Sequence, residues 1–430
     1  MKLLFLAHRI PYPPNKGDKI RAYHELRALV ERGHEVHLLT FADQSHDLHY
    51  QVDLARHCAS VRVLRLRKPW AKLRALAALP TSRPLSLGYF GSRKFARLVR
   101  QALAEQNFDA IFVYSSAMAQ YVPREWQSRT VVDLVDVDSE KWRDYAERTS
   151  PPQSWLYNLE AERLRKFEYE IVSQFAGAVL TTKREAALLD ELDEFTRRAR
   201  LRVITNGVDL DYFDSAPRAV TAGFNSRRKL VGAQPADNSP RLVFTGAMDY
   251  FANVEAVEWF VNEIFPLIRE QEPQTKFFIV GSNPTKQVHR LAQHPGVTVT
   301  GYVEDLRPYL HKATACVVPL RIARGVQNKL LEAMAAGKAI VATPEAAAGL
   351  RLTDGEELLT AAAPREFADA VLQIIRDQSL RESLGWRARR FVETNHKWTP
   401  LLETLVTLLE SVAERPVASQ TRNVRAFARH

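Results

Sequence analysis

Cysteine is nearly absent from this chain. Cys58 and Cys316 are the only two in 430 residues, and they form no CxxC pair. That excludes a disulfide framework and a zinc knuckle. No run approaches the roughly 20 apolar residues that a membrane-spanning helix requires. The apolar start from Met1 is cut short by His8 and Arg9, too soon for a secretory signal, so a cytoplasmic protein is expected. A G-x-G-x-x-G fingerprint is missing too: the loop after the first strand offers only Gly17, which argues against a dinucleotide oxidoreductase. The 12 histidines include pairs such as His34 and His37, or His289 and His294, but no third ligand stands at useful spacing. No metal and no cofactor are therefore expected.

One absence is local. From Ala55 to Ala104 there is no acidic residue, while 12 lysines and arginines fall there, from Arg56 to Arg100. The rest of the chain is near neutrality, with 48 basic against 50 acidic residues. Trp70, Leu73, Leu76 and Leu79 are interleaved with those cations, a pattern suited to anionic lipid headgroups. A solvated basic face is the plainer reading of the same charge. Nucleic acid is not an expected partner, because no recognisable reading motif accompanies it. The 56–100 segment thus predicts a peripheral contact with an anionic membrane surface.

A length of 430 residues exceeds what one core organises and favours two domains. Apolar strand-like runs alternate with helical periodicity: Met1 to Ala7, Val36 to Phe41, Val61 to Leu66, Ala110 to Tyr114, Val131 to Val135 and Ala178 to Thr182. The pattern restarts at Arg241, after a stretch rich in Ala, Pro, Gly, Ser and Asn. This predicts an α/β protein of two doubly wound, Rossmann-like domains facing a central cleft. The expected boundaries are 1–215, a linker at 216–240, 241–395, a crossing helix at 396–415 that returns to the first domain, and a polar tail at 416–430.

The segment Pro319 to Gly337 carries the most chemistry. A strand ends at Pro319, Gly325 permits a tight turn, and a helix is predicted to begin near Val326. Free amide groups and the positive end of a helix dipole suit a pyrophosphate at Gly325, Val326 and Gln327. Arg321, Arg324 and Lys329 add cations, and Glu332, one turn after Lys329, can accept hydrogen bonds from vicinal hydroxyls such as those of ribose. An ordinary helix start with a Lys329–Glu332 surface pair is the bland alternative.

Leu331-Glu-Ala-Met-Ala-Ala-Gly337, with Asn206-Gly-Val-Asp209, Gly301-Tyr-Val-Glu-Asp305 and the Pro13-Pro-Asn-Lys-Gly17 loop, resembles the family 4 retaining glycosyltransferases of the GT-B fold. The four motifs stand in the expected order, over Met1 to about Glu410. The wording of His8 to Asp18 and of Gly325 to Glu332 is similar to sugar transferases found with bacterial exopolysaccharide and exosortase (PEP-CTERM) systems. The resemblance implies a nucleotide-sugar donor on the C-terminal domain, and a glycan or lipid-linked acceptor on the N-terminal domain at the cytoplasmic face of the inner membrane. It implies that Glu332 binds the ribose and that Tyr302 and Val303 lie beside the base. Asn206 and Gly207 would lie near the donor, and Gly17 and Asp18 near the transferred sugar or its phosphate.

Three positions depart from the family. Arg324 stands where a glutamate is usual, eight residues before Glu332. The common Gly-Arg pair and its following lysine are replaced by Gly246-Ala-Met-Asp-Tyr-Phe-Ala-Asn253, which keeps only the glycine. Tyr114-Ser-Ser116 replaces a frequent histidine. Lys329, Arg321 and Arg324 are then the cations expected to neutralise a leaving diphosphate. A carboxylate role is left open among Asp249, Asp136 and Asp138. The expected catalytic set is Lys329, Glu332, Arg324 and Asp18. A nucleotide-sugar epimerase or hydrolase, or a non-catalytic nucleotide-sugar or polyanion binder, is the competing expectation.

Overall fold

The computed structural model of the chain describes residues 1–189, 196, 200–214 and 239–415. The expected linker, apart from Ser239 and Pro240, and the expected tail lie outside the described residues. The chain forms two compact units: Met1–Thr205 with the chain from Thr399 onward, and Asn206–Trp398.

The first unit holds a parallel sheet of seven strands, β1 (Lys2–Ala7), β2 (Glu35–Ala42), β3 (Ser60–Arg65), β4 (Ala110–Tyr114), β5 (Thr130–Val135), β6 (Gly177–Leu180) and β7 (Leu201–Val203), in the order β3-β2-β1-β4-β5-β6-β7. Central strands are buried on both faces, which is why Leu3 to Ala7 and Ala110 to Tyr114 read as unbroken apolar runs. The final helix, Trp398–Ala413, packs here: Leu408 lies where a side chain on Gly177 would be 3.3 Å away, and Glu410 pairs with His34 at 3.4 Å.

The second unit repeats the plan with β8 (Arg241–Thr245), β9 (Lys276–Val280), β10 (Val297–Gly301), β11 (Ala315–Val318), β12 (Ile340–Ala342) and β13 (Leu359–Thr360), in the order β10-β9-β8-β11-β12-β13. The order reverses between β8 and β11. In open parallel sheets the loops leaving the carboxyl ends at such a point frame a ligand crevice. After β8 come two α-helices, Phe251–Trp259 and Phe265–Gln271, joined by a π-helical turn at Phe260–Ile264. A helix of the kind expected near Val326 begins at Asn328, because Gly325 turns left-handed (φ +59°) and Gln327 is still extended. Among the described residues no helix is long and apolar enough to cross a membrane.

Candidate functional site

Five side chains converge at the carboxyl ends of β8 and β11. Lys329, in the first turn of the helix Asn328–Ala335, donates from Nζ to Asn253 Oδ1 at 2.6 Å and lies over the Phe244 ring, 4.7 Å from its centroid. Asn253 is fixed from its other end, Nδ2 donating to the Ala247 carbonyl at 2.9 Å. Glu332, one turn along the same helix, accepts a hydrogen bond from the Thr245 hydroxyl. Burial pushes the Glu332 carboxyl up to about 7, although Lys329 and Thr245 pull the other way. Burial likewise brings the Lys329 ammonium down to about 7, with Glu332 opposing. Two groups of opposite charge, each held in a poorly solvated place and each near its titration point at neutrality, form a site whose charge a ligand can reset.

Glycines let the surrounding loops close on one another. A side chain on Gly281 would lie 1.6 Å from the Gly246 carbonyl oxygen, and one on Gly349 would lie 1.9 Å from that of Gly325. The loop after β9 is thus pressed against the loop after β8, and the turn at Gly325 and Val326 against Gly349. The Thr343 hydroxyl donates to the Leu320 carbonyl, and Gln327 Nε2 donates to the Arg324 carbonyl at 2.8 Å, so the loop entering the helix is held from both sides. Its first amides are free of a side-chain cap at Gln327.

Asn206 links the N-terminal motif of this unit to the same helix. Its Nδ2 donates to Asn328 Oδ1 at 2.8 Å, and its carbonyl accepts from His396 Nδ1 at 2.7 Å. Gly207 is required by the close approach of Trp398, whose ring would lie 2.7 Å from an added Cβ. Two separate sequence motifs also meet: Asp209 caps Tyr212, accepting from its backbone amide at 3.0 Å, and the Tyr212 hydroxyl donates to Asp305 at 3.0 Å. Arg307 clamps that pair, donating to Asp305 and to the Tyr212 carbonyl. Tyr302, just before this clamp, is 59% exposed, and Val303 is half-buried.

The other sequence candidates are placed as follows. Gly246 follows β8 directly, its amide donating to the Val280 carbonyl at 3.0 Å. Arg321 is engaged by Glu255, Nε to Oε1 at 2.7 Å, and lies over the Trp259 ring, so Glu255 already balances its charge. Arg324 is half-buried beside the turn. Asp249 accepts from Asn283 at 3.1 Å. Gly17 and Asp18 belong to the first unit, at the start of the helix Gly17–Glu31. Against its own desolvation, Arg9 and His8 hold the Asp18 carboxyl far below the usual carboxylate range, so Asp18 is a fixed negative charge and not a proton carrier. Asp133 and Asp136 are claimed inside the first unit, by Arg21 and by Thr181, and Asp138 pairs with Lys141. Among the described residues no cluster of His, Cys, Asp and Glu suits a metal ion.

Sequence reading missed Asn253 and Thr245 as site residues and Gly281 and Gly349 as packing residues. Asn253 carried a signal: it stands where a cation is usual, in a segment already marked as unusual. Its role is testable without a ligand. Asn253→Ala removes the acceptor of an ammonium and the donor to Ala247, and is expected to destabilise the second unit by about 2 kcal/mol in denaturant unfolding. Asn253→Asp places a carboxylate against the ammonium and raises its pKa, so Lys329 should react more slowly than in the parent with an amine-directed reagent at pH 8.

Comparison with known proteins agrees with this fold. Residues 17–207 match the model described as glycosyl transferase 4-like domain, and residues 239–377 match that described as glycosyl transferases group 1. The chain is 24% identical over 220 residues to the uncharacterized glycosyltransferase MJ1069 of Methanocaldococcus jannaschii, an alignment over 48% of this chain and 52% of that relative. This match spans about half of that relative's length. Among solved structures it is similar to sucrose-phosphate synthase of Thermosynechococcus elongatus (TM-score 0.68, 18% identity, 96% of this chain and 99% of that one). It is also similar to HepE of Anabaena in complex with UDP and glucose (TM-score 0.65, 16% identity, 96% and 100%). The two models between them cover most of the sequence, and both structural neighbours share the whole two-unit fold. The chain belongs to the GT4-type glycosyltransferases of the GT-B fold and is a transferase enzyme.

Proposed function

We propose that this enzyme moves a sugar from a nucleotide-diphosphate donor to a glycan or lipid-linked acceptor in exopolysaccharide biosynthesis, with retention of the anomeric configuration. The observation that carries the donor half is the Asn253–Lys329 contact beside Glu332, at the strand-order reversal of the second sheet. A lysine from the helix Asn328–Ala335 supplies the cation that the loop after β8 lacks, and Asn253 holds it against that loop. A diphosphate bound there meets the ammonium, the free amides that open the helix and the turn at Gly325, and these stabilise the charge that grows as the glycosidic bond breaks. Glu332, ionised beside a protonated Lys329, accepts from the ribose hydroxyls. The backbone at Tyr302 and Val303 flanks the base. Because burial depresses Lys329, an anionic donor should raise its pKa, and binding near pH 8 should take up protons.

Retention and the exopolysaccharide setting, of the PEP-CTERM-associated kind, rest on the family resemblance of the His8 to Asp18 and Gly325 to Glu332 segments. The acceptor is assigned to the first unit. The basic 56–100 segment supports work at the cytoplasmic face of the inner membrane as a peripheral protein.

A thermal-shift screen against UDP-, GDP-, ADP- and dTDP-sugars tests the donor site, with UDP-glucose first because a HepE structure holds it. A donor at about 100 times its Kd should stabilise the second unit by ~2.7 kcal/mol. No shift with any of the four would defeat the reading. Donor consumption with and without acceptor then separates a transferase from a hydrolase, an epimerase and a silent binder.

A further inference from the structure

The helix Lys68–Ala77 is anomalous for a protein of this size. Of its ten residues only Ala71 is buried, while Trp70, Leu73 and Leu76 are each more than half exposed. Spaced three apart, these three share one side of the helix. Soluble proteins seldom leave a Trp-Leu-Leu stripe in water, and an amphipathic helix with cations around such a stripe lies in a membrane interface.

Beside it is a groove of about 620 Å³. Its floor is β3, the edge strand of the first sheet, which pairs only with β2 and leaves its other edge open among the described residues. Arg62, Arg65, Arg67, Arg74 and Lys94 line it, together with apolar side chains that include Trp70 itself. Glu105 pairs with Arg62 at 3.8 Å and Asp43 with Lys68 at 3.6 Å, and neither carboxylate lines the groove. Arg65, Arg67 and Lys94 have no carboxylate partner among the described residues. Arg74 Nη2 donates to the Tyr89 carbonyl at 3.1 Å, while its Nε is buried with no acceptor. A concave, cationic, acid-free surface with an orphaned buried donor calls for an anion, and the apolar stripe next to it calls for acyl chains.

We propose that this groove receives the phosphate headgroup of an anionic phospholipid while Trp70, Leu73 and Leu76 enter the bilayer interface around it. The inference rests on the reading of this enzyme as a peripheral membrane protein and makes the contact a headgroup site instead of a diffuse attraction.

Flotation with vesicles of phosphatidylglycerol and phosphatidylcholine at 30:70, against pure phosphatidylcholine, tests it. The full chain should bind the first and not the second. Arg65→Glu with Arg67→Glu, in the groove, should weaken binding more than about tenfold, at ~1 kcal/mol per basic residue. Arg93→Glu with Arg97→Glu changes the charge equally on exposed residues outside the groove and should weaken it less than about threefold. Trp70→Ser should weaken binding to the same vesicles while keeping every charge. Equal losses from the two double variants would overturn the headgroup site. Absence of binding to either vesicle would overturn the membrane reading beneath it. Nucleotide-sugar thermal shifts, measured on every variant, report folding and the donor site independently of both.

Discussion

Glu332→Ala is expected to lower kcat/KM for the donor by about 10³-fold, the loss of two charge-assisted hydrogen bonds to ribose at about 2 kcal/mol each. Structural damage alone would lower activity and stability together. Here the two should move in opposite directions. Burial pushes the Glu332 carboxyl up to about 7, above its ordinary value, so the folded chain binds more protons than the unfolded chain between about pH 4.5 and 7. The stability linked to that proton is present in acid and is lost as pH rises through the folded pKa. Glu332→Gln does not titrate. Its melting temperature should match the parent's near pH 4.5, draw ahead of it toward pH 7 and keep the gap to pH 8. A variant that is both less active and less stable at pH 8 would mean that Glu332 holds the helix in place and leaves the donor to other residues.

Lys329 carries the complementary sign. Its folded pKa is depressed, so the unfolded chain holds the extra proton between about pH 7 and its ordinary value, and the linked stability returns as pH rises over that range. The second unit is therefore least favoured near neutrality by this pair. A bound diphosphate lifts that penalty on the ammonium by restoring a counter-charge. The site is one of the places where a protein gives up stability for function.

Much of this was legible along the chain. Buried parallel strands are apolar on both faces, so they declare themselves as runs, and the Gly325 to Glu332 segment showed both a turn residue and a charged helix start. The contacts that make the site were not legible, because they join residues that topology alone brings together. Asn253 and Lys329 are 76 positions apart, and each looks ordinary in its own segment. Arg321 was readable as a phosphate cation, but Glu255, 66 positions earlier, takes its charge first. The start of the helix was misplaced by two residues because an extended Gln327 follows a left-handed Gly325, a local geometry with no hydrophobic signature. In β3 and the helix after it, composition gave the charge and the apolar residues, yet only the fold shows that Ala71 alone among the ten is buried, so that the helix rests against the short helix Leu85–Tyr89 and leaves Trp70, Leu73 and Leu76 exposed.

Arg21→Met should destabilise the first unit by about 3–5 kcal/mol, the usual cost of orphaning a buried charge. Arg21, Glu25 and Asp133 are all fully buried. Arg21 donates from Nε to Asp133 Oδ2 at 2.7 Å and from Nη1 to the Ile204 carbonyl at 2.9 Å, tying the helix Gly17–Glu31 to β5 and to the chain end of this unit. Burial and the nearby Asp133 push the Glu25 carboxyl well above its ordinary value, toward its neutral form. The other Asp133 oxygen accepts from the Val135 amide at 2.7 Å and holds a β-branched residue at φ +68°, a conformation that costs of order 1–3 kcal/mol and persists only where its surroundings insist on it. Without the guanidinium, the Asp133 carboxylate is left buried with its charge uncompensated, and denaturant unfolding measures the deficit. Arg21→Met combined with Asp133→Leu removes both charges and should recover part of the loss, since an apolar replacement of a whole ion pair is often near neutral. If the double variant were no better than the single one, the deficit would belong to the Ile204 tether and not to the stranded carboxylate.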